Sequence, residues 1–365
     1  MKILQLAYSL SNGGAEKFIV ELSNELSIDH NVFLCTYRNN ETWMLPSKKL
    51  SKNVSNLSLN IKNKKSIKNW LAPFMLIYRK KPDIVHVHSS LVIIYLYLLP
   101  LFFPRIRFIH TIHNSVTPGY RKLFNLMSIL PYIHKRWIHI CISPNIFKEF
   151  KYAYPVFTFA HVDNGITQLR ISDEFKQARE EVFKIQNNLD SILLIAIGNY
   201  SDFKRFDLLM EVMNHFEHQG KQLLLIVLGE DASPMQLNYK KVLAKKGPNS
   251  YLLGLKAHVG DYLALSDALI LSSSMEGMPL VILEAFSLGK PVIASPAGGV
   301  CDMVTEGING YIAKDLTKQS LIEAVERFLH ASKSDIEAIQ KNNVAEFSDK
   351  YSMAICAEKY MQLYR

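Results

Sequence analysis

The sequence predicts an α/β protein with two Rossmann-like domains in tandem, from its length and from an alternation of segments that occurs twice. The chain has 365 residues, of which 48% are hydrophobic and 21% charged, which is enough for two packed cores. Short apolar runs alternate with helical segments in each half of the chain. Strands separated by helices form parallel sheets that helices cover on both faces. The composition excludes a disordered, collagen-like or disulfide-stapled protein.

In the first half, strands are predicted where β-rich apolar runs end at turn residues. The predicted strands are Lys2–Tyr8, Asn31–Tyr37, Asp83–Ser89, Arg107–His113, His139–Pro144 and Val156–Phe159. Glu16–Leu26 is predicted as a helix, because its apolar residues recur at helical spacing. The N-terminal run is short and leads into a glycine turn, so we interpret it as a strand and not as a signal peptide.

A polar segment, Gln168–Asp190, separates the halves and is predicted to be a linker because it holds few large apolar residues. The strands predicted after it are Ser191–Gly198, Gln222–Gly229, Ser250–Leu255, Ala268–Ser273 and Pro291–Ser295. The helices predicted there are Asp207–Phe216, Val259–Leu265, Pro279–Leu288 and Ser320–Ala331. The predicted domains are residues 1–168 and 169–348, followed by a helix over 349–365.

The charge distribution indicates the kind of partner, and the cysteine spacing indicates the redox compartment. Residues 1–190 carry 25 Lys and Arg against 13 Asp and Glu, whereas residues 191–365 carry 17 against 20. A basic half joined to a mildly acidic half implies an asymmetric partner. The four cysteines lie far apart without a CxxC pair, which favours a reducing compartment over a zinc site or a disulfide framework.

Two segments follow predicted strands at the ends where parallel sheets bind ligands. Gly13 and Gly14 precede a helix, and their amides can approach a phosphate, although a plain turn has the same sequence. The stronger segment places Glu276 in a loop, Pro279 in a first helical turn and Glu284 on the helix. Its amides can hold a diphosphate while the carboxylates accept hydrogen bonds from sugar hydroxyls. The alternative is a capped surface helix with two solvated acids.

These residues resemble glycosyltransferase family 4, whose members are retaining sugar transferases of the GT-B fold. That fold has two Rossmann-like domains that face each other across a cleft. Glu276 and Glu284 match the family's E-x7-E motif, and Gly289–Ser295 is similar to the strand that follows it. Other similar segments, in the family's order, are Lys81–His88, Val162–Ile166, Gly298–Gly299 and Glu306–Gly310. The resemblance covers nearly the whole chain.

The resemblance implies a role for each matching residue. Glu284 would bind the ribose hydroxyls of the donor, and the predicted catalytic residues are Glu276, at the transferred sugar, and His113, near the reacting centre. A lone histidine after a strand is otherwise structural. The backbone around the diphosphate and sugar would come from Gly13, Gly14, Gly277, Met278, Pro279, Leu280 and Val281. The first domain would bind the acceptor, the second the nucleotide sugar, and the C-terminal helix would pack back on the first.

The segment Gly198–Arg205 is similar to the family's G-R-x4-K-G loop, in which the arginine and the lysine neutralise the diphosphate. Lys204 stands at the expected position. Asn199 stands where the arginine is usual, and Arg205 replaces the second glycine. We predict that Asn199, Lys204 and Arg205 contact the donor, with Arg205 able to restore the missing charge. A solvated Lys–Arg pair is the alternative.

The expected chemistry is transfer from a nucleotide diphosphate sugar, since cations and amide dipoles stabilise the leaving diphosphate. UDP is the commonest nucleotide of the resembled family, and GDP and ADP stay open. No D-x-D motif occurs, so neither a metal nor another cofactor is expected. The acceptor would be a glycan or a lipid-linked sugar of cell-envelope polysaccharide or lipopolysaccharide synthesis. A nucleotide-sugar 2-epimerase of the same fold and a non-catalytic binding homologue are the alternatives.

The basic first half suggests a membrane surface. Residues 51–150 hold 15 basic residues and two acidic ones, and the apolar stretches Leu91–Phe103 and Phe124–Ile133 precede cations. A basic patch comprises Lys62, Lys64, Lys65 and Lys68. We expect a cytoplasmic protein, peripheral at the inner face of an anionic membrane, with core helices of the first domain as the alternative. No nucleic-acid motif accompanies the charge, so no nucleic-acid partner is expected.

Overall fold

The computed structural model describes residues 1–10, 13–38, 50–61, 68–116, 118–186, 191–229 and 237–365. The chain divides into two compact units, Met1–Thr167 with Tyr351–Arg365, and Gln168–Lys350. Each unit is built on a parallel sheet, so the predicted α/β class with two Rossmann-like domains is confirmed. Ser11, Asn12, Lys62, Lys64 and Lys65 lie outside the described residues, as does the side chain of Lys68.

The first unit contains seven parallel strands among its described residues. They are β1 (Lys2–Ala7), β2 (Asn31–Thr36), β3 (Val54–Ser58), β4 (Ile84–Val87), β5 (Arg107–Ile112), β6 (Trp137–Cys141) and β7 (Thr158–His161). Their order in the sheet is β3-β2-β1-β4-β5-β6-β7. The helices are α1 (Gly14–Leu26), α2 (Lys68–Lys80), α3 (Ser90–Leu96), α4 (Pro118–Ser128), α5 (Pro131–His134) and α6 (Pro144–Ala153). Nearly every residue of β1, β2, β4 and β5 is buried, as in a sheet covered on both faces.

The second unit contains six parallel strands among its described residues. They are β8 (Ile192–Ile197), β9 (Leu223–Leu228), β10 (Ser250–Gly254), β11 (Ala268–Leu271), β12 (Val292–Ala294) and β13 (Gly310–Ile312), in the order β10-β9-β8-β11-β12-β13. The helices are α7 (Phe175–Ile185), α8 (Phe206–His218), α9 (Leu237–Lys245), α10 (Val259–Leu265), α11 (Leu280–Ser287), α12 (Lys318–Leu329) and α13 (Lys333–Glu346). Because β8, β11 and β12 are neighbours, the loops at their carboxyl ends meet.

The prediction of a linker at Gln168–Asp190 is wrong for residues Phe175–Ile185, because these form α7. The helix buries only Ala178 and Val182, so its sequence has too few large apolar residues to predict a helix. It is fastened to the rest of the unit by Glu181, whose carboxylate accepts hydrogen bonds from Lys256 Nζ at 2.9 Å and from the Tyr262 hydroxyl at 2.5 Å. The sequence also failed to predict β3, which buries one residue, and the three-residue β13.

The C-terminal helix α14 (Met353–Tyr364) belongs to the first unit and packs on α1. The Tyr364 hydroxyl lies 2.6 Å from Nδ1 of His86, and Arg107 donates a hydrogen bond to the carbonyl oxygen of Leu363 at 2.9 Å. Gly165 allows the close approach of this helix, since a Cβ at residue 165 would lie 2.6 Å from Cβ of Cys356. In the described residues, no helix is both long and apolar enough to cross a bilayer.

Candidate functional site

Glu276 lies in the loop between β11 and α11, where two side chains hold its carboxylate. Lys204 Nζ donates to Oε1 of Glu276 at 2.7 Å, and Ser273 Oγ donates to the same oxygen at 2.6 Å. The side chains of Lys204 and Glu276 are 19% and 11% exposed. The ion pair is therefore largely shielded from water, and its attraction is less screened than that of a surface pair.

Two glycines make room for this arrangement. Gly198 directly follows β8, and a Cβ there would lie 3.0 Å from Cε of Lys204. Gly298 follows β12 with φ of +54°, and its Cβ would lie 2.3 Å from the carbonyl oxygen of Glu276. The amide of Gly299 donates to that same carbonyl at 3.1 Å. Residues after three neighbouring strands thus converge on the backbone and the carboxylate of Glu276.

The start of α11 presents backbone amides close in sequence to Glu276. Pro279 precedes the helix, and no side chain caps it. Among the five segment residues predicted to contact the donor, Met278 and Leu280 are 5% and 7% exposed; Gly277 and Val281 are half-buried. Glu284, farther along α11, is 7% exposed. An uncapped helix N-terminus that precedes a buried carboxylate can accept an anion on its amides.

The three residues of the segment Gly198–Arg205 that are predicted to contact the donor, Asn199, Lys204 and Arg205, have different surroundings. Asn199 is exposed directly after β8 and Gly198. Arg205 has a left-handed backbone with φ of +50°, and its Nη1 donates to the carbonyl oxygen of Leu316 at 2.7 Å. The cations of Lys204 and Arg205 thus have different partners, and the structure does not direct Arg205 to the group that Lys204 holds.

In the first unit, His113 follows β5 and packs against Phe18 of α1. Their ring centroids lie 5.8 Å apart, and the ring of His88, which follows β4, also lies 5.8 Å from His113. Burial lowers the pKa of His113 to about 4, so its imidazole is neutral near pH 7 and can donate one hydrogen bond and accept another. The start of α1 and the end of β5 meet because β1, β4 and β5 are neighbours.

The glycine turn before α1 has no side-chain cap either. Gly13 precedes the helix, which begins at Gly14. A Cβ at residue 13 would lie 2.3 Å from Oε2 of Glu16, so this carboxylate lies beside the turn. The turn and His113 therefore form the candidate site of the first unit, whereas Lys204, Glu276, residues 277–281 and Glu284 form that of the second.

Sequence reasoning did not single out Ser273, His88 or Phe18. Ser273 stands three residues before Glu276, and that short spacing is the only sequence signal that links it to the carboxylate. The packing of Phe18 on two imidazoles depends on strand order, which no local pattern encodes. In the described part of the chain, no three or more His, Cys, Asp or Glu side chains are grouped to hold a metal ion.

Comparison with known families agrees with this architecture. Residues 12–166 match the family described as Glycosyltransferase Family 4, and residues 177–344 match Glycosyl transferases group 1. Two parallel-sheet Rossmann-like units are the fold of the GT-B class of glycosyltransferases. The chain belongs to glycosyltransferase family 4.

Individual relatives act in the synthesis of envelope glycans. The chain is 27% identical over 219 residues to the lipopolysaccharide 1,2-N-acetylglucosaminetransferase of Salmonella typhimurium, covering 56% of each chain. It is 24% identical over 293 residues to the UDP-Gal:alpha-D-GlcNAc-diphosphoundecaprenol alpha-1,3-galactosyltransferase of Escherichia coli, covering 75% of this chain and 73% of that one. The chain spans about half the length of the first curated relatives that it matches, 52% and 56%.

Solved structures support the fold. Anabaena HepE in complex with UDP-glucose superimposes with a TM-score of 0.80 at 17% identity, covering 100% of this chain and 99% of that one. At this identity the likeness shows the shared fold.

Proposed function

We propose that the protein is a retaining glycosyltransferase that moves a sugar from a nucleotide diphosphate sugar, with UDP as the nucleotide, to a hydroxyl group. The acceptor is a glycan or a lipid-linked sugar in cell-envelope polysaccharide synthesis. One observation carries the proposal: Glu276, held by Lys204 and Ser273, directly precedes the uncapped start of α11, which carries the buried Glu284. The E. coli relative uses UDP-Gal and the Anabaena neighbour binds UDP-glucose, which supports UDP.

Each group has a place in this reaction. The amides at the start of α11 and the ammonium of Lys204 stabilise the negative charge that develops on the leaving diphosphate. Glu284 accepts hydrogen bonds from the ribose hydroxyls, and Glu276 accepts them from the transferred sugar. His113 acts near the reacting centre as a neutral imidazole, and the amides of Gly13 and Gly14 contact the donor. These groups supply the electrostatic stabilisation, so we propose a reaction that needs no metal ion.

The first test is a donor panel. The protein is incubated with UDP-, GDP- and ADP-sugars, with and without a lipid extract, and products are followed by NMR. We expect release of UDP that depends on the extract and is unchanged by EDTA. A new sugar isomer without an acceptor would indicate an epimerase instead, and a nucleotide sugar that binds but is never cleaved would indicate a non-catalytic homologue. Failure to bind any of the three nucleotides would contradict the assignment.

We further propose that the first unit binds the cytoplasmic surface of an anionic membrane. The helices α2, α3 and α4, of which α3 contacts both others, leave apolar side chains exposed. Leu71 is 55%, Leu91 50% and Leu126 49% exposed. Exposed cations, among them Arg79 of α2 and Arg121 of α4, accompany them. The apolar stretches Leu91–Phe103 and Phe124–Ile133 each contain both core and surface residues, since Ile93 and Phe124 are buried whereas Leu91 and Leu126 are exposed. Apolar side chains with nearby cations suit an anionic interface.

Flotation with liposomes tests this surface. We expect the protein to float with phosphatidylglycerol vesicles at low salt and to be released by high salt. Leu71→Gln combined with Leu126→Gln is expected to weaken vesicle binding at least about fivefold, because each lost side chain removes buried apolar area. Val344→Gln is the matched control, since Val344 of α13 in the second unit is 41% exposed. Equal loss in the control, or no binding by the unmodified protein, would refute the proposal.

A further inference from the structure

Three consecutive serines follow β11, and the structure gives each a different partner. Ser272 Oγ donates to the carbonyl oxygens of Lys204 and Arg205 at 2.8 and 3.0 Å, which fixes the turn that carries Lys204. Ser273 Oγ donates to Oε1 of Glu276 at 2.6 Å and is buried, with the residue 1% exposed. Ser274 is more exposed, and its Oγ makes a long contact of 3.4 Å with a backbone carbonyl.

The carboxylate of Glu276 is therefore held asymmetrically. Both donors, Lys204 Nζ and Ser273 Oγ, use Oε1. Within the described part of the chain, Oε2 of Glu276 makes no hydrogen bond. A carboxylate has about four lone-pair sites, two on each oxygen. Both sites on Oε2 can therefore accept hydrogen bonds from a ligand.

We infer that Ser273 is a positioning residue that fixes Oε1 of Glu276 and thereby presents Oε2 to a hydroxyl group of the transferred sugar. The two donors differ in stiffness. Ser273 is short and buried at a strand end, whereas Lys204 reaches Oε1 through a flexible four-carbon chain. Without Ser273, the carboxylate can rotate about the lysine contact, and misplacement by a fraction of an ångström costs rate in a preorganised site. This inference rests on the proposed function.

The test compares four variants with the unmodified protein. Ser273→Ala is expected to lower kcat about tenfold, the effect of weakening a hydrogen bond to a charged group. Ser273→Cys preserves the packing but is a poor donor, so it is expected to show the same loss even if the alanine variant is unstable. Ser273→Thr keeps the hydroxyl and is expected to recover most of the activity. Ser274→Ala is the matched control and is expected to behave as the unmodified protein.

The affinity for UDP separates positioning from a structural effect. Ser273 is inferred to act through Glu276 on the transferred sugar and not on the nucleotide. Its variants are therefore expected to bind UDP with the affinity of the unmodified protein. Their affinity for UDP-glucose is expected to fall, because the sugar contributes less to binding. Loss of UDP affinity in parallel with kcat, or a Ser273→Cys variant as active as Ser274→Ala, would overturn the inference. If the unmodified protein neither binds nor cleaves nucleotide sugars, the proposed function itself fails, and that result is obtained before any variant is made.

Discussion

Lowering the pH from about 7 to about 5 is expected to unfold the first unit and to leave the second unit folded. The first unit buries the side chains of four histidines, His86, His88, His110 and His139, in its sheet or directly after it. Burial lowers the pKa of His139 to about 3 and holds the pKa values of the other three well below their usual range. The four histidines of the second unit are exposed or half-buried.

The sign follows from where the protons bind. The folded state keeps these histidines neutral, whereas the unfolded chain takes up protons below about pH 6.5. Their contribution to stability is fully present above that pH and is lost as the pH falls towards the folded pKa values. Each extra proton bound by the unfolded chain lowers the free energy of unfolding by about 1.4 kcal/mol per pH unit. Four protons amount to about 8 kcal/mol at about pH 5, which is comparable to the whole stability of a domain.

The contacts of His110 and His139 oppose protonation of both rings, whereas His86 lies between two hydroxyls. Nδ1 and Nε2 of His86 lie 2.6 and 2.7 Å from the hydroxyls of Tyr364 and Thr111. The Nδ1 atoms of His110 and His139 lie 3.2 Å apart, so one must accept while the other donates, and protonating both would set two donors against each other. After burial, the second cause that lowers the pKa of His86 is its electrostatic interaction with His113, because the two rings cannot both carry a positive charge without repulsion.

Tryptophan fluorescence measures this transition selectively. The second unit, Gln168–Lys350, contains no tryptophan, so the fluorescence does not report its unfolding, whereas circular dichroism reports the helices of both units. We expect the fluorescence to change completely and the helical signal to fall only in part. His110→Leu combined with His139→Leu is expected to move the midpoint to lower pH, and His215→Gln in α8 to leave it unchanged. An unchanged fluorescence down to about pH 4 would contradict this account.

Glu284→Gln is expected to lower kcat/KM for the donor about 100-fold. The proposed role of Glu284 is to accept hydrogen bonds from two ribose hydroxyls, and hydrogen bonds to a charged group contribute about 1.5–3 kcal/mol each. Glutamine keeps the size of the buried side chain but loses the charge. The loss is therefore expected mainly in donor affinity, which distinguishes it from the kcat effect expected at Ser273.

Initial rates of nucleotide release at several donor concentrations, together with the Kd for UDP, measure this effect. Glu323→Gln is the matched control, because Glu323 of α12 is half-buried and accepts a hydrogen bond from Gln319 at 3.2 Å. A Glu284→Gln variant within twofold of the control would show that the ribose is bound elsewhere.

Local sequence patterns predicted the strands of both sheets, except β3 and β13, and the order of the family motifs. Buried parallel strands must be apolar on both faces, so Ile192–Ile197 and Leu223–Leu228 are visible as continuous apolar runs. The pair Glu276 and Glu284 is likewise encoded in one short segment. Helix α7 was not predicted because it buries only two small side chains, Ala178 and Val182, and so lacks a clear apolar stripe.

The partners of the charged groups could not be predicted from local sequence patterns, because they lie on different elements of the fold. Lys204 and Glu276 are 72 residues apart and meet because β8 and β11 are adjacent in the sheet. The direction of Arg205 towards Leu316, and not towards the group that Lys204 holds, depends on a left-handed turn that Ser272 fixes from another strand. Local periodicity specifies which residues form a strand or a helix, whereas strand order and loop contacts specify which side chains meet, since these involve residues far apart along the chain.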